Sequence, residues 1–183
     1  VRVGMRHALD EGADMVGYFD ADLATPIDEL LRLIGVLNGD ADLSVVLASR
    51  VSLLGHTIER RPSRHYLGRM YATGASLALG VPVYDTQCGA KMFRASPTLA
   101  TALEGRFPDR WSFDVELLAR LLHPAPGVDP IPAAAIVEVP LRTWRDVAGS
   151  KVRPWSSMRA ALALRGVRRR VRKRTRARRA RTR

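Results

Sequence analysis

Apolar positions change their period along this chain, and each change marks an element. Over residues 1–10, Val1, Met5, Ala8 and Leu9 share one side of a helical pattern, which Gly12 stops. Residues 15–19 form a short apolar run of the kind that a buried strand of a parallel sheet carries. Thr25, Pro26 and Asp28 then read as the N-cap, first and third positions of a helix. Ile27, Leu30, Leu31, Ile34 and Leu37 recur in it at helical spacing, and Asn38-Gly39 closes it. A second buried strand follows at residues 43–48 and leads into Ser49-Arg50.

Residues 51–62 are polar and basic and read as a loop. The spacing predicts a helix over 63–79, with Leu67, Met70, Tyr71, Gly74 and Ala78 close to one face and a break at Val81-Pro82-Val83. Residues 85–93 suit a loop or a strand equally. A short helix around Pro97 covers 96–103, and a clearer one covers 112–122, with Phe113, Leu117 and Leu121 spaced to face a core. The two prolines within 123–127 cannot extend it. Residues 136–141 alternate as a strand, 142–154 form a polar loop, and 155–165 suit a helix. No internal repeat is present. Strands alternating with helices give an α/β fold, a sheet with flanking helices.

With 183 residues, 46% of them apolar, the chain can bury a real core in one domain with an appendage. The net charge of +12 is unevenly spread: residues 165–183 carry 12 of the 30 cations and no acid. The remaining 18 cations balance the 18 acids, so residues 1–164 form a neutral domain and 165–183 a basic tail that reads as disordered. Such a tail can dock on an anionic membrane surface or bind nucleic acid through counterion release. No aromatic interleaves it, so nucleic acid ranks last. The single Cys88 excludes an intrachain disulfide and reads as a packed small residue. No apolar run approaches the roughly 20 residues that span a bilayer. The expectation is a cytoplasmic protein, soluble or peripheral at the inner face of the membrane.

The candidate chemistry begins where the first strand ends, at Asp20-Ala21-Asp22. Open α/β sheets bind ligands at the carboxyl ends of their strands. Residues i and i+2 of an extended segment share a face, so both carboxylates can meet one cation. Two oxygen ligands with room for water and substrate phosphate suit Mg2+ or Mn2+. The blander reading is a pair of acids decorating a helix N-terminus. A phosphatase reading, with the first Asp as nucleophile, fits poorly: Thr25 falls one position late, and no convincing acidic pair follows downstream.

Asp20-Ala21-Asp22 resembles the DxD motif of nucleotide-sugar glycosyltransferases. Three further blocks extend the likeness in order. Asp85-Thr86-Gln87-Cys88-Gly89-Ala90-Lys91 resembles a DTQCGFK segment with Ala90 in place of an aromatic. Residues 110–117 resemble RWxFDVEL. Arg145 with Gly149, Ser150 and Lys151 resembles a later Arg and Gly-Ser-Lys loop. Residues 1–8 resemble the helix that precedes the motif. Together they resemble the family 2 glycosyltransferases similar to dolichyl-phosphate glucosyltransferase, over residues 1–155. Members of that family open with a strand and a turn that hold the nucleotide base; nothing similar precedes Val1, so the chain is expected to be the later part of such a domain. A sheet without its opening strands would expose an edge and be marginally stable.

The resemblance implies a GT-A fold and an inverting hexosyl transfer from a UDP-glucose or GDP-mannose type of donor to a polyprenyl phosphate. It implies that Asp22 ligates the divalent ion on the donor diphosphate, and that Asp20 contacts the nucleotide or the groups around that ion. Arg50 and Gln87 would line the donor, and Arg145, Ser150 and Lys151 would bind phosphate on a loop that Gly149-Ser150 allows to close. Asp114 would face the acceptor as a candidate base. An acceptor phosphate is already anionic above its second pKa of about 6, so Asp114 could equally position the acceptor or the sugar hydroxyls. Alternatives are a soluble or glycan acceptor, and a catalytically silent domain that binds anionic surfaces through its tail.

Overall fold

The computed structural model describes residues 1–59, 62–109, 111–146 and 155–181. Its principal sheet is built from β1 (Met15–Tyr18), β2 (Val45–Ser49), β4 (Lys91–Arg94) and β5 (Ile136–Pro140), in the order β1-β4-β2-β5. A second pair joins β3 (Thr57–Glu59) to β6 (Thr143–Arg145) in parallel. Around them lie α1 (Arg2–Asp10), α2 (Ile27–Gly39), α3 (Pro62–Leu79), α4 (Pro97–Ala102), α5 (Phe113–Leu122) and α6 (Trp155–Arg181). The architecture is mixed α/β with helices on both faces of the sheet.

The sheet is not the parallel one expected. β2 pairs with β5 in parallel, but β4 enters between β1 and β2 and runs against both. Reversal puts the first residue of β4 at the end where β1 and β2 finish: Lys91 lies opposite Tyr18 on one side and Leu47 on the other. Gly17 is required by this pairing, because a Cβ there would lie 2.3 Å from Met92 Sδ and 2.6 Å from Lys91 O.

Successive β2 side chains point to opposite faces and divide the core in two. Val45 and Leu47 pack with Met5, Val16, Phe93, Leu99, Val115 and Leu118 under α1, α3, α4 and α5. Val46 and Ala48 pack with Leu33, Leu37, Met92, Val139, Leu141 and Trp144 under α2.

Several expectations need correction. α2 starts at Ile27 with Pro26 as its N-cap, and Thr25 is buried with its hydroxyl unpartnered. The bend before the helix is held by Asp22 Oδ1, which accepts from Ala24 N at 3.1 Å. Ile27 and Leu31 face outward, while Leu30, Leu33, Ile34 and Leu37 face the sheet. In α3 the core face is Ala72, Ala75, Ala78 and Leu79; Leu67 and Met70 are exposed. Small alanines lie against the neighbouring helices there, a choice that hydrophobicity alone does not reveal.

The basic tail is also corrected, since α6 continues as helix through the boundary at 165. Val167 and Val171, one turn apart, enter the first core cluster. Arg170 donates to the buried Glu116 through Nη2 at 2.7 Å and Nε at 3.1 Å, and Arg174 donates to His123 O at 3.0 Å. Two valines and a buried carboxylate hold a segment whose charge otherwise reads as solvated.

Candidate functional site

The reversed β4 gathers three segments at one end of the sheet: residues 18–25 after β1, Ser49-Arg50 at the end of β2, and 84–91 before β4. Asp20 stands over Gly89. A Cβ on residue 89 would lie 1.9 Å from Asp20 Oδ2, so the glycine makes room for that carboxylate. Burial raises the Asp20 carboxyl above its usual range, and the nearby negative charge of Asp22 raises it further; Arg50 and Lys91 oppose the shift, and Asp114 adds to it. These groups therefore share one electrostatic environment.

Asp20 and Asp22 could hold a divalent cation. The donors are hard carboxylate oxygens, and a cation between them would relieve the repulsion that raises Asp20. Asp22 has one oxygen engaged by Ala24 N, which leaves its second oxygen outside that bond. Among the described residues no group of three or more His, Cys, Asp or Glu side chains forms a closed cage. Water and substrate phosphate would then complete the shell, as Mg2+ favours.

Asp114 sits in the first turn of α5, across from β1. Its Oδ1 accepts from the Tyr18 hydroxyl and pairs with Lys91 Nζ at 2.7 Å. Lys91 Nζ also donates to Cys88 O, and the side chain is 1% exposed, so this lysine is internal rather than on the surface. Both bonds fall on Oδ1 and fix the carboxylate with Oδ2 outside them. Burial first, and the Asp114 charge next, hold the Tyr18 hydroxyl well above its ordinary value, so Tyr18 stays a hydrogen-bond donor. Tyr18 stacks near Phe93 and meets Phe113 edge-on, which locks its ring.

Arg50 is not a free cation. Its backbone and guanidinium all bind Asp85, with Nε to Oδ2 at 2.7 Å and Nη2 to Oδ1 at 2.8 Å, and the guanidinium lies 5.2 Å from the Trp144 ring centre. Burial opposes its charge, yet the Asp85 pair outweighs burial and keeps it above its ordinary value. Asp85 is held in turn: Glu138 accepts from Tyr84 N at 2.7 Å and from Asp85 N at 2.9 Å. Gln87 is placed beside α5, its Nε2 lying 3.5 Å from Trp111 O. Cys88 is buried, and burial with the adjacent Asp85 charge pushes its thiol up to about 12, as a packed, inert cysteine requires.

Arg145 reaches the same end of the sheet through its backbone. Its N–H donates to Ala24 O at 3.2 Å, while its exposed side chain pairs with Glu59 at 3.0 Å. The buried Glu29 fastens this turn to α2: Oε1 accepts from Arg142 N at 2.8 Å, and Oε2 takes Arg32 Nε at 2.9 Å. Arg110, Gly149, Ser150 and Lys151 lie outside the described residues.

Among the described residues, the buried side-chain polar atoms without a partner are those of Thr25, Tyr71, Thr86 and Trp144. Thr25 and Thr86 belong to the loops that carry Asp22 and Asp85. Trp144 lies under Arg50, and Tyr71 is close enough to Asp114 for that charge to raise its hydroxyl, after burial. Buried polar groups are ordinarily satisfied by protein or by ordered water. Sequence reasoning missed Tyr18, Tyr71, Asp85 as the partner of Arg50, and Glu138. Only Tyr18 and Asp85 carried a signal, being next to the first carboxylates and first in a recognised block.

No family model matches this chain. The chain is similar to a dolichyl-phosphate beta-glucosyltransferase of Trichomonas vaginalis, 30% identical over 175 residues that cover 90% of this chain and 46% of that protein. It thus spans about half the length of the curated relative it matches.

Proposed function

We propose that this chain is part of a family 2 glycosyltransferase of GT-A fold that transfers a hexose from a nucleotide sugar to a polyprenyl phosphate, with inversion. One observation carries the reading: Asp20, Asp22, Lys91 and Asp114 converge at one end of the sheet in a chain similar, over 90% of its length, to a protein named for that reaction. Asp22 and Asp20 hold Mg2+ or Mn2+ and the donor, of UDP-glucose or GDP-mannose type. When bound, the cation neutralises charge that grows on the departing diphosphate.

The chain's own groups do the rest. An acceptor phosphate oxygen forms the new bond to the anomeric carbon as the bond to the diphosphate breaks, and its electron pair leaves with the diphosphate. A nucleophile that is already anionic requires no strong base. Asp114, held on Oδ1 by Tyr18 and Lys91, therefore orients a hydroxyl of the sugar or the acceptor with Oδ2. The Arg50–Asp85 pair walls the donor side, with Gln87 beside it. Arg145, Ser150 and Lys151 bind phosphate.

The test is transfer of labelled glucose or mannose from UDP-glucose or GDP-mannose to a polyprenyl phosphate, with Mn2+ or with chelator. The reading expects Mn2+-dependent lipid product from one donor and loss of it in Asp22→Ala. A folded full-length protein carrying this chain that neither binds nor turns over either donor overturns it.

A further inference from the structure

α3 presents two different faces. Inward, Tyr71 approaches Asp114 and the alanines pack on the core. Outward, Tyr66, Met70 and Leu77 are 71%, 74% and 69% exposed, with Leu67 beside them. Their spacing of four and seven residues sets them in one stripe along the helix. An exposed apolar stripe on a helix that is otherwise well packed marks an interaction surface.

α6 runs against this helix. A Cβ at Gly74 would lie 2.9 Å from Leu164 Cδ1, so the Leu164 side chain packs directly over this glycine. Next to that contact, Leu162 is 60% exposed. Opposite its buried Val167 and Val171, α6 exposes Arg165, Arg169, Arg172 and Arg176 at the same spacing as the α3 stripe. Arg169, Arg172, Lys173 and Arg176 line a shallow concavity. Four cations facing one concavity are suited to anionic headgroups.

We propose that the α3 stripe and the exposed cations of α6 form one surface that docks the chain on an anionic lipid bilayer, with α6 acting as a folded, docked helix rather than a flexible tail. The pairing of apolar and cationic stripes decides the occupant. A bilayer interface accepts apolar side chains into its acyl boundary and cations at its phosphates. Nucleic acid would use the cations and leave the apolar stripe in water, and residues 165–183 hold no aromatic to stack on a base. A symmetric contact with a second copy would bring cationic stripes toward one another. Among the described residues no helix is long and apolar enough to cross a membrane. The proposal is independent of the transfer reaction, since docking requires neither donor nor acceptor.

The experiment is sedimentation of the full chain with phosphatidylcholine vesicles, with and without phosphatidylglycerol. Binding is expected only with the anionic lipid. The double variant Arg169→Gln with Arg172→Gln should bind roughly 25-fold more weakly, at about fivefold per cation. Met70→Glu should bind about tenfold or more weakly. Circular dichroism verifies that each variant folds. Should Met70→Glu unfold, M70C labelled with an environment-sensitive dye gives a second reading; Cys88 is buried and takes no label. A blue shift on anionic vesicles supports insertion, and an unchanged spectrum overturns it. Equal binding to neutral vesicles, unchanged binding by Met70→Glu, binding to duplex DNA in place of vesicles, or self-association that Met70→Glu abolishes would each overturn the proposal.

Discussion

Replacing Glu116 by alanine is the sharpest test of how α6 is held. Glu116 Oε1 accepts from Arg120 Nε at 3.1 Å, and Oε2 accepts from Arg170 at 2.7 and 3.1 Å. The carboxylate is 3% exposed, whereas Arg120 is 12% and Arg170 is 38% exposed. Stranding a buried charge by removing its partner costs about 3–5 kcal/mol. Neither cation is fully stranded here. Arg120 keeps the carbonyls of Ala102, Glu104 and Arg106, and Arg170 can turn to water. The expected loss is therefore lower, about 2–3 kcal/mol, including the small cavity left behind. At a urea dependence of about 2 kcal/mol per molar, the unfolding midpoint should fall by about 1–1.5 M.

A double-mutant cycle with Arg170→Ala separates the α5–α6 contact from damage to α5 itself. A coupling of about 1 kcal/mol is expected, reduced from the fully buried case by the exposure of Arg170. Trypsin supplies the local readout, since α6 offers it a cleavage site at nearly every turn and a docked helix resists. Glu116→Ala should be clipped within 165–181 well before the remainder of the chain. Coupling below about 0.3 kcal/mol, with the wild-type helix cut as fast as an unfolded peptide, would refute the docked helix and restore the free tail.

Two further substitutions probe the carboxylate end of the sheet. Gly89→Ala would put its Cβ 1.9–2.0 Å from the Asp20 carboxylate and displace it, so the rise in Tm with Mn2+ should vanish while the Tm without metal changes little; a retained Mn2+ response would mean that Asp20 does not hold the cation. Burial and Asp22 raise the Asp20 carboxyl, so its ionised form is a burden that appears as pH rises through that raised value. Asp20→Asn should therefore raise the urea midpoint at pH 7, with no gain below the ordinary carboxylate pKa of about 3.9, and a gain of equal size at both pH values would refute the linkage.

What could be read in the sequence followed from local physics. The β1 and β2 runs, the α3 and α5 spans and the carboxylate pair at the end of β1 are set by period, caps and breakers within a few residues. What could not be read depends on partners far along the chain. Residues 85–93 were ambiguous because the direction of β4 is decided by its pairing with both β1 and β2. Glu116 looks like any acid in a first helical turn until Arg170, from 54 residues away, covers it. The outward face of α3 is not legible from hydrophobicity because the core side uses alanine and the exposed side uses Tyr66, Met70 and Leu77, which reverses the usual sign of the pattern.

The direction of β4 has a chemical consequence. A strand that paired in parallel would have begun at the opposite end of the sheet, with its first residue far from Asp20. Run in reverse, it starts beside Tyr18, and Lys91 enters the sheet between the last residue of β1 and Leu47 of β2. An ammonium group 1% exposed is tolerable only where partners replace its water. Asp114 Oδ1 and Cys88 O are those partners, one from the first turn of α5 and one from the loop that approaches β4. The lysine thus ties three separate segments to one carboxylate oxygen, and Tyr18 adds β1 as a fourth. Asp114 consequently has its orientation set by the sheet itself, before any ligand arrives, and that preorganisation is what a group acting by position rather than by basicity needs.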